Sequence, residues 1–435
     1  MRDQHGKNAG GGIGRPAAAG RSDKRSAGRG TDAARAEERR VRKDAERDGL
    51  SREGSADRAG TKRVRAGAVP RVTGREDTDR IADVAADKLK PGDRIVVTIK
   101  RIGINGEGVG YYKRKAVFVP GALPGEVVKA TVTGAEPNRL TAEIAAIEKR
   151  SPHRVKPPCP VYDRCGGCQL QHMDYAGQLA AKEELVREAF ARFAGLEGDA
   201  LPLRPIIGME EPWRYRNKAQ LQAGRTSGGK LALGLYEPGS RRLVDIAECA
   251  VQHPAVTVAA ERVRSLAERT GVPVGAGPDG ALRTVVLRAN HESGELQLTL
   301  VATAERFPGR DELVAAIRRN LPQITSISVN VNASPSPLVF GERTVLLWGK
   351  PDLETRLGDL SFKLSPRAFF QLNPAQTVKL YELAREAAAL TGRETVVDAY
   401  CGTGTIALWL APYAREVRGI ETIREAVDDA ERNAR

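Results

Sequence analysis

Residues 395–405 read Thr-Val-Val-Asp-Ala-Tyr-Cys-Gly-Thr-Gly-Thr, and few folds accept such a stretch. Val396 and Val397 suit a short buried strand that ends on the polar Asp398. Gly402 and Gly404 let the backbone turn sharply and come close to a ligand. Ile406, Ala407, Leu408, Leu410 and Ala411 then open a helix. A strand, a glycine turn and a helix start form a site for a nucleotide-like cofactor. Residues 418–421, Arg-Gly-Ile-Glu, suit the end of a second strand. Glu421 lies 17 residues after Gly404, about where an acidic side chain binds two ribose hydroxyls. The turn lacks the full three-glycine phosphate fingerprint. That favours a cofactor with a ribose and no pyrophosphate, such as S-adenosylmethionine, over NAD. A glycine-rich turn in an ordinary α/β domain is the competing reading.

A chain of 435 residues has room for several domains. It contains no apolar run of about 18 residues to cross a membrane, and its N-terminus has no apolar h-region. A reducing cytoplasm is the expected compartment for its five cysteines. The net charge of +14 points to a polyanionic partner, most simply nucleic acid. The charge is uneven: residues 1–80 hold 21 Lys/Arg against 13 Asp/Glu, a net +8. No aromatic residue precedes Tyr111. Such a segment buries too little apolar surface to offset its ordering entropy, so residues 1–85 are expected to be a disordered basic extension.

From residue 89 the pattern changes to short strands. Residues 93–101 alternate around Ile95, Val97 and Ile99, and further strands are expected at 116–119, 126–132 and 140–147. Strands at this spacing suggest a small β-barrel. Lys100, Arg101, Lys113, Arg114 and Lys115 put positive charge on it, with Tyr111 and Tyr112 available to stack on bases. A solvated charged face over core tyrosines is the alternative.

Cys159, Cys165 and Cys168 come next with spacing C-x5-C-x2-C in a loop rich in proline and glycine, and Cys249 lies farther on. Three cysteines packed this tightly in a turn-rich loop are hard to explain as core residues. Two metals fit four thiolates: zinc, or a [4Fe–4S] cluster. The asymmetric three-plus-one arrangement leans towards the cluster, because structural zinc more often uses two C-x2-C pairs. His153 and His172 flank the loop and read as surface or supporting residues.

Helices are expected at 175–193, 256–269, 310–320 and 375–390, and strands at 282–289, 296–303 and 324–332. Residues 230–250 read as a hairpin ending at Cys249. Residues 213–222 mix Arg214, Arg216 and Lys218 with aromatics, which suits either a phosphate-and-base contact strand or an amphipathic edge strand. Residues 366–373, Pro-Arg-Ala-Phe-Phe-Gln-Leu-Asn, offer Phe369 and Phe370 as pocket walls, and Gln371 and Asn373 as hydrogen-bonding groups.

Taken together these residues resemble the bacterial RNA (uracil-5-)-methyltransferases, and among them the 23S ribosomal RNA branch that carries an iron–sulfur cluster. The resemblance runs from about residue 89 to the last residue. It implies a TRAM domain, an OB-like RNA-binding module, at 90–150. It makes Cys159, Cys165, Cys168 and Cys249 the four cluster ligands. It also makes Gln371, Tyr400 and Thr405 cofactor contacts and Glu421 the ribose-binding acid, around Asp398, Gly402 and Gly404. The implied fold class is multidomain, α+β and α/β. After residues 1–85 come the barrel over 86–150, the cluster loop with a central α/β domain over 151–362, and the start of an incomplete Rossmann-like class I methyltransferase domain over 363–435. The implied cofactors are S-adenosylmethionine and a [4Fe–4S] cluster. The implied partner is ribosomal RNA, bound by a monomer without membrane association.

In that family a cysteine thiolate adds to carbon 6 of uracil, carbon 5 takes the methyl group, and a base removes the carbon 5 proton. The family carries nucleophile and base beyond the second strand of the methyltransferase sheet, so here they are expected beyond Arg435. Cys401, under the glycine turn, reads as a small packed residue. The expectation is a C-terminally truncated, catalytically inactive chain. Three rivals stand beside it: a non-catalytic iron–sulfur RNA-binding protein, a transfer RNA uracil-5-methyltransferase, and an NAD-dependent oxidoreductase with a cluster.

Overall fold

In the computed structural model, residues 89–275, 281–335 and 337–435 are described. The basic extension expected over 1–85 lies outside the described residues. Among the described residues, no helix is long and apolar enough to cross a membrane.

The chain begins with β1 (Arg94–Ile102), β2 (Gly108–Tyr112), β3 (Lys115–Val119), β4 (Val127–Ala135) and β5 (Arg139–Lys149). Alternation drives β1: Ile95, Val97 and Ile99 point inward while Arg94, Val96, Thr98 and Lys100 face water. The five strands close in the order β1-β2-β3-β5-β4, with β4 returning antiparallel to β1. Closure removes every free edge. Gly110 allows it, because a Cβ there would stand 2.4 Å from Val97 Cγ1 and 2.5 Å from the Thr98 carbonyl. The barrel is filled by Val97, Ile99, Val117, Val119, Val128 and Leu140.

One buried ion pair fastens the barrel to the segment leading into the cysteine loop. The Glu126 carboxylate, fully buried, takes hydrogen bonds from Arg154 Nε at 2.6 Å and Nη2 at 2.7 Å. It also accepts from the Leu123 and Ser151 amides. Arg154 donates as well to the Gly121 carbonyl. The long helix α1 (Tyr175–Ala194) starts on Asp174, whose carboxylate accepts from the Gly177 amide at 2.7 Å, and stops at the left-handed Gly195.

A seven-stranded sheet forms the centre. It contains β6 (Lys218–Arg225), β7 (Leu231–Tyr236) and β8 (Leu243–Asp245). After α2 (Pro254–Arg269) come β9 (Leu282–Ala289) and β10 (Leu296–Ala302). After α3 (Arg310–Asn320) come β11 (Ile324–Val331) and β12 (Arg343–Gly349). The order is β12-β11-β10-β9-β6-β7-β8. Val256, Val263 and Leu266 of α2 and Leu313 and Ile317 of α3 bury against Leu221, Leu287, Leu298 and Ile327. Each such side chain contributes roughly 1.5–3 kcal/mol.

The sheet's other set of side chains includes, beside Val286 and Val301, buried polar groups: Thr284, Arg288, Gln297, Thr299, Ser326, Ser328 and Asn330. Two of them hold the C-terminal region by its backbone. Gln297 donates to the Leu364 carbonyl at 3.1 Å, and Arg288 donates to the Ser365 and Ala368 carbonyls. That region contains the hairpin β13 (Leu353–Leu357) and β14 (Leu360–Leu364), then α4 (Pro374–Ala388), β15 (Thr395–Asp398), α5 (Thr405–Leu410), β16 (Glu416–Gly419) and α6 (Arg424–Asn433). β15 and β16 pair in parallel. The hairpin shares a core with the rest: Leu357, Phe362 and Leu364 pack with Phe370, Tyr381 and Trp409.

Several elements differ from the sequence reading, β2 and β12 among them, which it does not include. The strand read from Trp213 begins only at Lys218. Arg214 sits at φ 58°, in the left-handed region, and the Arg214 and Arg216 amides donate instead to the Ala250 and Val251 carbonyls. The resulting strand, β6, lies inside the sheet between β9 and β7, not at an edge. The hairpin β13–β14 is absent from the sequence reading, although Leu-Ser-Phe-Lys-Leu of β14 alternates apolar and polar residues and buries Phe362 and Leu364.

Candidate functional site

The glycine turn succeeds β15 as its spacing requires. Gly402 and Gly404 have φ of 53° and 83°, in the left-handed region where a side chain costs about 1–2 kcal/mol. The Gly404 amide donates to the Cys401 carbonyl at 2.8 Å, closing the turn. Glu421, at the end of β16, reaches across it. Its carboxylate accepts from the Gly402 amide at 3.1 Å, from Thr422 at 2.7 Å and from Ile423 at 2.8 Å. The Ile423 amide leads the effects that hold this carboxyl below the usual glutamate value. Asp398 accepts from the Tyr400 amide at 3.4 Å through one oxygen, and its other oxygen is buried with no partner among the described residues. Tyr400 is 93% exposed. The Thr405 hydroxyl pairs with Tyr381 of α4 at 2.8 Å, so it faces the interior.

The segment carrying Gln371 lies against this turn. Thr403 donates through its hydroxyl to the Phe369 carbonyl at 3.3 Å. Phe370 is buried and Phe369 is 67% exposed, so the two neighbours divide between core and surface. Asn217 clamps the segment from the central sheet: its side chain donates to the Gln371 carbonyl, and its amide to the Leu372 carbonyl, each at 3.1 Å. Asn217 was not singled out from sequence. Its only signal was a buried-type strand start between two cations.

Cys401 is half-buried behind the turn. Its Sγ would stand 2.8 Å from a Cβ at Gly419. Burial, then Asp398 and Glu421, push its thiol up. A protonated, packed thiol is no nucleophile.

The second site is a cavity of about 140 Å³ lined by Cys159, Cys165, Cys168 and Cys249 together. All four are free thiols. The loop is fixed by short local bonds. The Cys165 amide donates to Val161 O at 2.8 Å, and the Cys159 amide to Gln171 Oε1 at 3.3 Å. Tyr162 donates to the Gln169 carbonyl at 2.7 Å and lies 2.6 Å from His172 Nδ1. Burial leads the effects that raise the thiols of Cys159, Cys165 and Cys168, and repulsion from neighbouring cysteines adds to it. Burial also pushes Tyr162 up to about 12 and, with Arg154, pulls His172 down to about 4. His172 is thus a buried neutral ring rather than a surface group. Among the described residues, no three His, Cys, Asp or Glu side chains converge on a single-ion position.

The basic residues read as RNA contacts divide. Lys113 and Arg114 are exposed at the β2–β3 turn, and Tyr111 is exposed beside them. Arg101 is taken up by Glu188 of α1 at 2.9 Å. Lys218 is only partly exposed. It stands opposite Arg288 across β6 and β9, and burial pulls its ammonium down to about 7.

Comparison with known proteins places these features together. Residues 88–145 match the TRAM domain family. An uncharacterized RNA methyltransferase of Halalkalibacterium halodurans is 52% identical over 349 residues, covering 80% of this chain and 75% of the relative. Another from Bacillus cereus is 50% identical over 352 residues, covering 80% and 76%. Among solved structures, the tRNA (uracil-54, C5)-methyltransferase of Pyrococcus abyssi, in complex with S-adenosyl-L-homocysteine, superposes with a TM-score of 0.59. The two are 26% identical over 78% of this chain and 76% of that one.

Proposed function

This chain belongs to the RNA methyltransferases, and from that premise we propose that it serves S-adenosylmethionine-dependent methylation of carbon 5 of a uracil in 23S ribosomal RNA. One observation carries the reading. The Gln371 segment, the Gly402–Gly404 turn and the Glu421 carboxylate are joined by two hydrogen bonds, from Thr403 to the Phe369 carbonyl and from the Gly402 amide to Glu421. In this reading Gln371, Asp398, Tyr400 and Glu421 contact the cofactor, with the two glycines giving it room, while the Thr405 hydroxyl is turned to Tyr381 and away from it. Glu421, ionised at neutral pH as any ordinary glutamate is, takes the ribose hydroxyls. S-adenosylmethionine supplies an electrophilic methyl group. The neighbour from Pyrococcus abyssi, solved with S-adenosyl-L-homocysteine, supports this cofactor.

Four thiolates suit a [4Fe–4S] cluster by their donor chemistry, and the shared lining of one cavity by Cys159, Cys165, Cys168 and Cys249 supports that reading. The cluster would fasten the loop between barrel and sheet. The barrel over 86–150, the cluster loop and central domain over 151–362 and the cofactor region over 363–435 then divide RNA docking, support and methyl transfer.

Deleting the gene and mapping 5-methyluridine by mass spectrometry in purified 23S RNA and tRNA tests the reading. Loss from one 23S position supports it. Loss from tRNA alone moves the substrate to tRNA, the reading favoured by the Pyrococcus abyssi neighbour. Unchanged 5-methyluridine in both RNAs rejects the activity.

A further inference from the structure

Beyond the cysteine loop lies a cavity of about 630 Å³ that the cofactor surface does not use. Arg225 of β6, Arg241 and Arg242 of the β7–β8 turn, Arg283 of β9 and Arg164 of the cysteine loop line it, with Tyr236 at the end of β7. Asp245 is the one carboxylate among the described lining residues, and it already accepts from the Leu233 amide at 3.0 Å. Two of the guanidiniums are held by neutral groups. Arg283 donates to the Asn332 and Ser334 carbonyls, both at 2.7 Å, and Arg225 to the Gly229 carbonyl at 2.8 Å. Arg242 meets Glu237 at 3.2 Å with its own side chain 77% exposed, a pairing that solvent screens strongly. Carbonyls orient a guanidinium without neutralising it, so the cavity keeps a concentrated positive field.

Tyr236 also lines a second, wider cleft of about 1090 Å³ between the barrel and the cysteine loop, with Phe118, Arg139 and Tyr162. The two concavities therefore meet at one exposed aromatic ring. Resting on the RNA-methyltransferase reading, we propose that this arginine cavity grips the phosphates of a single-stranded RNA segment, with Tyr236 stacking on a base as the strand passes from the barrel cleft into it. Guanidiniums suit phosphate by their forked donors, and a tyrosine face between phosphate contacts is how unpaired RNA is held without sequence readout.

Fluorescence anisotropy of a labelled single-stranded RNA oligonucleotide against the purified full chain, over a salt series, tests this. Arg241→Ala/Arg242→Ala removes two phosphate contacts. It is expected to weaken binding roughly tenfold and to flatten the log–log salt slope by about 1.4. Tyr236→Ala is expected to weaken binding roughly 5- to 150-fold, while Tyr236→Phe keeps it. All three variants should retain wild-type S-adenosylmethionine affinity by calorimetry, since they are exposed and remote in sequence from the glycine turn. Wild-type affinity and salt slope in the double variant, with RNA bound normally by the parent, overturn the arginine site alone. A parent chain that binds no RNA overturns the methyltransferase reading along with it.

Discussion

The cysteine cavity and the glycine turn are the two cofactor sites of this reading, and they are built in opposite ways. The cysteine cavity is assembled from a distance. Three ligands come from one loop and the fourth from beyond β8, the walls come from the central sheet, and the loop is pinned to the barrel through Arg154 and Glu126. The glycine turn itself is local, although the Gln371 segment beside it is held from the central sheet by Asn217. One strand end, two glycines and one carboxylate 17 residues later make it, and Tyr400 stands in open solvent above it. A site made by long-range packing fails when a remote support is removed. A local site loses ligand affinity and little else.

The largest effect should separate the two sites completely. Cys168→Ser is expected to abolish bound iron and its visible absorption in anaerobically purified protein, and to leave S-adenosylmethionine affinity within about twofold. A variant that keeps its iron would remove Cys168 from the ligand set. Next in size is the remote support. Arg154→Ala leaves Glu126 buried and unpaired, and should lower stability in urea by about 3–5 kcal/mol, with barrel and cluster lost together. A loss under about 1 kcal/mol would show that barrel and loop are not coupled through this pair.

The same junction should be acid-sensitive. His172 has a folded value near 4 against an ordinary 6.5, so the unfolded chain binds the proton more readily. Stability therefore falls as pH drops from 6.5 towards 4, by about 1.4 kcal/mol per unit and at most ~3 kcal/mol. Glu126, held below its ordinary 4.5 despite burial, adds in the same direction at the acid end. His172→Gln should flatten the profile between pH 6.5 and 4.5; an unchanged profile assigns the sensitivity elsewhere. For the local site, Glu421→Gln should weaken S-adenosylmethionine binding about 10- to 100-fold by calorimetry with iron content untouched. Iron loss in that variant would mean the sites are not independent. Smallest of all, Cys401→Ala should change iron content not at all and stability by no more than about 1 kcal/mol; a large drop in cofactor affinity would give that thiol a role its packing does not suggest.

Much of this was legible in the chain. The helix at 310–320 is present over those residues, and the strands of β9, β10 and β11 differ from the reading by at most one residue, because their apolar periodicity is uninterrupted. The glycine turn and Glu421 are legible for the same reason: the constraint acts over a few residues. Lys218 was misread as a surface cation. Nothing within residues 213–222 says that the strand will be enclosed by β9 and β7 or that Arg288 will lie opposite. Asn217 and the polar ladder beneath the C-terminal region were missed because their partners are backbone carbonyls some 150 and 70 residues away.

By itself the sequence determined the local units: the strand-turn-helix with its acid, the cysteine spacing, and the alternating strands of the barrel. Each arises from side-chain periodicity or from backbone angles that only glycine adopts easily. The tertiary structure decided how those units meet: closure of the barrel in the order β1-β2-β3-β5-β4, convergence of Cys249 with the other three thiols, and the Asn217 clamp on the Gln371 segment. The physical reason is that buried polar groups must find partners wherever the packed chain supplies them, and that choice is made by the whole fold rather than by neighbouring residues.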